Sequence, residues 1–131
     1  MAGTIEEALK ARLAAVSAVT NIVQSRIYPN VKPQDAVIPC ISYRLVFPQR
    51  YPAMGVDSNV VKARYQFDVW TATYAEAKAL AAAIRTALKR YRNTAGTPPI
   101  FDVFDLGEVD LFDDDTLQQH IACDYEVNYS E

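Results

Sequence analysis

"FDVWTATYAEAKALAAAIRTALKRY", residues 67–91, decides the fold, because its spacing changes from strand to helix within four residues. A strand that turns straight into a helix is a frequent phosphate cradle. Such a cradle needs glycines, so that backbone N–H groups can approach the ligand. The turn Trp70-Thr71-Ala72-Thr73 has none. Instead, Thr73 is followed three residues later by Glu76, a capping box whose side chains satisfy the orphan donors of the helix start. The stretch reads as scaffold.

Upstream, Val61, Ala63, Tyr65, Phe67 and Val69 alternate with Lys62, Arg64, Gln66 and Asp68, the period of a strand with one buried face. Ile41, Tyr43, Leu45 and Phe47 alternate in the same way with Ser42 and Arg44. Residues 48–59 between them, "PQRYPAMGVDSN", hold two prolines and a glycine and read as a connection long for a hairpin. Downstream, a helix is expected from Tyr74 to about Arg92, with Ala77, Leu80, Ala81, Ile84, Leu88 and Tyr91 as its buried stripe. Lys78, Arg85, Lys89, Arg90 and Arg92 sit mostly on its other side, the last three where the macrodipole favours positive charge.

Two more strands follow, over 100–112 and 117–130, joined by the acidic turn "DDDT". In the first, Ile100, Phe104 and Leu106 share one parity and Val109 and Leu111 the other, which predicts a β-bulge at Gly107. At the N-terminus, Thr4 and Glu7 form a second capping box that opens a helix through about Val16. Ser17 is expected to cap a short second helix, "AVTNIV", followed by an extended "RIYP" and a proline-bearing loop over 29–39. The expected fold is α+β: an antiparallel sheet of about four long strands, with one long helix and the N-terminal helices packed on one face.

The 131 residues suit a single domain spanning 1–131, and the 50% hydrophobic and 22% charged composition is that of a globular protein. No apolar run spans a bilayer, and the opening "MAGTIEEALK" lacks the basic start of a secretory leader, so no membrane partner is expected. Cys40 and Cys123 fit no metal spacing and suit a reducing cytoplasm. Charge is sharply divided. All 13 Lys and Arg lie at or before Arg92, leaving that part at +7, while ten acids and no base follow it. Such a split suggests a charged interface, within the chain or between subunits.

Catalytic patterns are absent. The one histidine, His120, falls on the polar face of the last strand, with Asp124 too far along it to act as an orienter, and reads as a surface or interface residue. No nucleophile elbow, Walker loop or zinc-protease motif occurs. "DLFDDDTLQQH" lacks the glycine and distal glutamate of a calcium loop. No cofactor or metal is expected. Two other readings stand beside an assembly role: a DNA-contacting adaptor using the helix bases, and a small enzyme centred on His120.

The chain resembles the phage tail completion family, the tail-to-head joining proteins. The matching residues are Arg26, Ile27, Tyr28 and Pro29, then Pro39, Ile41 and Tyr43 in a "P-x-I-x-Y" strand. Gln66, Asp68 and Trp70 follow in a "Q-x-D-x-W" strand that feeds the Ala-rich helix at Tyr74, Ala75, Glu76 and Ala77. The final hairpin also fits. The resemblance implies a non-enzymatic virion component that forms a ring, usually hexameric, at the head-proximal end of the tail. Its implied partners are further copies of itself, the tail tube protein and head-tail connector proteins, with DNA only passing through the channel. Candidate interface residues are Arg50, Tyr51, Met54 and Val56 in the 48–59 connection, residue types enriched at interfaces. A second set is Asp113, Asp114 and Asp115, expected to meet Lys89, Arg90 or Arg92 of an adjacent subunit or to line the channel.

Overall fold

Local capping sets the two main helix starts. In the computed structural model, which describes residues 4–30, 32–33, 35–53, 56–96, 98–113 and 117–130, α1 runs Ile5–Ala15 and α3 runs Tyr74–Leu88. The hydroxyls of Thr4 and Thr73 accept from the N–H groups of Glu7 and Glu76, each at 3.2 Å. Such caps are worth about 1 kcal/mol each. Between them, α2 spans Ser17–Val23, and here the expectation fails at one residue. Ser17 is the first helical residue, and the cap position belongs to Val16, which has no side-chain acceptor.

The strands are β1 (Ile27–Pro29), β2 (Cys40–Ala53), β3 (Val56–Thr71), β4 (Ile100–Asp113) and β5 (Gln118–Ser130). They form one sheet in the order β1-β2-β3-β5-β4. The four long strands are antiparallel, as expected, but the "RIYP" segment adds β1 parallel to β2, pairing Ile27–Pro29 with Ile41–Tyr43, so the sheet is mixed. All three helices contribute to one core against one sheet face, with Leu9, Leu13, Leu80 and Ile84 meeting Tyr65, Phe67 and Tyr125. Phe67 sits at its centre, stacked on Tyr43 at 6.0 Å and edge-on to Tyr125 at 5.8 Å. Among the described residues, the other face carries no helix.

Residues 48–53 and 56–59, expected as a loop, are strand. β2 continues to Ala53 and β3 starts at Val56, so the two strands extend as a paired ribbon, Arg50 opposite Val61 and Ala53 opposite Val56. Pro48 and Pro52 fit because β2 beyond Tyr43 is an edge strand, where a missing N–H can face away from the ladder. The long helix α3 also ends four residues early, at Leu88. Arg90 takes a positive φ of 59° and its N–H donates to the Val103 carbonyl at 2.7 Å, so the chain leaves the helix to cover the start of β4. Asn93 and Ile100 then bond each other in both directions, at 2.9 and 3.0 Å. The bulge expected at Gly107 is present as a register shift between Asp105 and Gly107, with Gly107 at φ 120°.

Candidate assembly interface

From Asp105 onward, β4 inverts the usual polarity of a sheet. Its helix-side positions Asp105, Glu108 and Asp110 lie opposite the buried Tyr125, Cys123 and Ile121 of β5. The flank of α3 answers each acid. Arg85 binds Asp105 at 3.2 Å and Glu108 at 3.0 Å, and Lys78 binds Asp110 at 3.0 Å. Past the helix end, Arg90 and Arg92 reach Asp102 at 2.9 and 3.4 Å. The Tyr74 hydroxyl donates to Asp110 at 2.7 Å. That bond and the Lys78 ammonium hold the Asp110 carboxyl below its ordinary pKa, while Asp110 and Tyr74 push Lys78 up to about 12. Much of the charge division therefore closes inside one chain. Arg90 and Arg92 are engaged in their own subunit, and Lys89 remains exposed beside them.

The apolar residues of β4 go the other way. Phe104, Leu106, Val109 and Leu111 are 36–56% exposed, most of all Val109. They share the helix-free face with Val46 and Phe47 of β2, which are also exposed. A groove of about 330 Å³ crosses this face, lined by Val46, Phe47, Gln49, Lys62, Arg64, Leu106 and Glu126. Arg64 binds Asp124 at 2.6 Å on the same face. The inner carboxylate oxygen of Asp124 and the Asn128 side-chain carbonyl, both buried, accept no hydrogen bond from the described residues.

His120 is better organised than its sequence position suggested. Its Nε2 lies 2.9 Å from Asp68 Oδ1, and its ring stacks on Trp70 with centroids 3.9 Å apart. Gln66 donates to the same Asp68 oxygen at 2.8 Å, and Trp70 Nε1 donates to Ser42 at 3.1 Å. The orienting carboxylate is thus Asp68, diagonal to His120 across the β3–β5 pairing, and not Asp124. Only the register brings them together, so no linear motif could have found the pair. Among the described residues no hydroxyl or thiol is hydrogen-bonded to the ring, and no group of three metal-ligating side chains forms. Burial pushes the Cys40 and Cys123 thiols up, to about 11 and about 12.

Of the residues singled out from sequence, Arg50 lies on the ribbon, and Lys89, Arg90 and Arg92 follow α3. Met54, Asp114 and Asp115 lie outside the described residues, as do the side chains of Tyr51, Val56 and Asp113. The structure therefore brings Arg90 and Arg92 together on Asp102, and separates them from the β4–β5 turn by the length of β4. Sequence reasoning missed the intrachain acids of β4 as partners for α3. Their signal was present in the alternation of acids and apolar residues after Asp102.

An α+β domain with an apolar outer strand face, long open edges and its polar groups tied into structural pairs has the features of an assembly component. The chain belongs to the family described as "Tail completion protein gp17", whose profile matches residues 7–130. It is a structural protein of the phage tail. Among solved structures it is similar to a chain in "Virion of native gene transfer agent (GTA) particle", with a TM-score of 0.75 and 17% identity, over 94% of this chain and 92% of that one. At that identity the likeness is one of fold. A comparison with curated protein sequences finds no match.

Proposed function

We propose that the chain forms a ring at the head-proximal end of the tail tube and completes the tail for joining to the head, without catalysing a reaction. The observation that carries this is the family match across nearly the whole chain. The surfaces support it: an outward apolar strand, and ion pairs that fix structure rather than expose reactive groups. Further copies of the chain, the tail tube protein and connector proteins are its partners, and the β2–β3 ribbon with Arg50, Tyr51, Met54 and Val56 is one docking element. The bases of α3 are engaged by β4, which disfavours a DNA-contacting role.

Deleting the gene and imaging the resulting particles tests the reading. Expected are separate heads and tails, restored to joined particles by the wild-type chain, with label on that chain at the neck. Normal joined particles without it would overturn the proposal. A ribbon shortened to a tight turn at residues 50–59 is expected to fold and yet fail to restore joining.

A further inference from the structure

We propose that the open edge of β4 in one copy pairs with the open edge of β2 in the next, joining neighbouring sheets into one antiparallel sheet. This rests on the ring reading and names the surface through which the ring closes.

Both outer strands leave ladder groups uncovered. Among the described residues, β1 pairs with β2 at Ile41–Tyr43 and no strand pairs with the outer side of β2 over Arg44–Ala53. Among the described residues, the segment after α3 bonds β4 up to Val103, and no strand pairs with the outer side of β4 over Phe104–Asp113. The two open stretches are equal in length. Their directions also agree, because the four long strands alternate in direction across the sheet. A copy placed alongside in the same orientation therefore sets its β2 antiparallel to the first copy's β4. This is a head-to-tail contact between unlike surfaces, the kind that generates rings, whereas β4 against β4 would give a two-fold dimer.

Composition favours the first arrangement. Asp105, Glu108 and Asp110 are held by Arg85 and Lys78 of their own chain, so the open stretch of β4 adds only the acid Asp113 beyond those pairs, whereas β2 brings Arg44 and has no acid. Pro48 and Pro52 remove two donors from β2, which disfavours its pairing with itself, since neither strand could supply what the other lacks. β4 has no proline, and of its open stretch the Gly107 N–H is already taken by Asp105 Oδ1 at 2.9 Å. Apolar surface completes the match. Phe104, Leu106, Val109 and Leu111 would continue into Val46 and Phe47 of the next copy on the same helix-free face.

Cross-linking between two proteins, each with one introduced cysteine, tests the pairing. Phe47→Cys and Val109→Cys place thiols at exposed positions on the two strands. The native thiols are buried and titrate at about 11 and about 12, which confines a short bis-maleimide to the introduced ones. Mixing the two variants, tagged to differ in mass, is expected to give the mixed dimer and little of either homodimer. Predominant homodimers overturn the proposal. So do oligomers of the wild-type chain that yield no mixed product, in which case the ring stands without this edge. A chain that stays monomeric at every concentration and shows no ring on isolated tails overturns both readings.

Val109→Lys supplies an independent check. The position is exposed, so the fold, read by circular dichroism, is expected to persist while self-association weakens by roughly tenfold, as lysine blunts an edge. Unchanged association would also overturn the pairing.

Discussion

Tyr65 shows how one side chain ties a helix to the sheet. It is buried in the middle of β3, yet its hydroxyl donates to the Glu6 carboxylate on α1. Burial and that carboxylate push the phenol pKa well above its ordinary value. Removing the hydroxyl strands a half-buried carboxylate that water can partly reach. Tyr65→Phe is therefore expected to cost about 1–2 kcal/mol, at the lower end for hydrogen bonds to charged groups. Urea unfolding would read it as a lower midpoint at unchanged slope. His120 poses the same question with a functional edge. Its contacts to Asp68 and Trp70 together suggest a loss of about 1–2 kcal/mol for His120→Ala. In a purely structural role the variant still assembles into joined particles. Loss of joining by a variant that remains folded would instead revive a chemical role for the ring.

At the scale of elements, β4 is where sequence and structure part company. Thr4 and Thr73 announced their helices because a cap is local, and β3 announced itself because both its neighbours and its faces follow one alternation. The ribbon was illegible because Pro48 and Pro52 look like loop residues unless the strand is known to lie at an edge. The alternation in β4 was visible, but not which of its sides faces inward, because α3 with its bases, and not the core, sits above Asp105, Glu108 and Asp110. Gly107 makes the switch possible. At φ 120°, with open space where a Cβ would stand, its substitution costs through backbone strain and not through a clash. Gly107→Ala is expected to lose about 1–3 kcal/mol and to disturb amide shifts on β4 and β5 around the bulge. The α3–β4 clasp also has a pH signature. The carboxyl of Asp110 is held below its ordinary value, so its contribution is complete above the unfolded pKa of about 3.9 and is lost as pH falls through the lower folded value. Titrating the carboxyl carbon by NMR is expected to give a depressed midpoint, and Lys78→Ala should move it upward. A midpoint indifferent to Lys78 would mean that the Tyr74 hydroxyl alone holds the carboxylate.

Across the whole molecule, the division of charge has two parts with different destinations. Lys78, Arg85, Arg90 and Arg92 answer Asp102, Asp105, Glu108 and Asp110 within one chain. Asp110 lies by Tyr74 at the start of α3 and Asp102 by Arg90 beyond its end, so the strand runs the length of the helix. Asp113 closes β4 at the far end from Lys89. A contact between Asp113 and that base therefore requires a second molecule, as does one with Arg44 on the outer side of β2. Each exposed pair would contribute only about 0.2–1 kcal/mol, but a ring repeats the contact at every junction. At about 0.15 M salt the Debye length is near 8 Å, so such contacts weaken as salt rises. Native mass spectra and sedimentation across a salt series are expected to show wild-type oligomers dissociating with increasing salt. Replacing Asp113, Asp114 and Asp115 with Asn should weaken the oligomer at low salt and flatten its response to further salt. A channel lining behaves oppositely, because the same substitutions relieve repulsion within the ring and leave it intact or tighter. Oligomers that ignore both the substitutions and the salt would leave the turn as solvated surface, with closure of the ring resting on the strand edges and their apolar face.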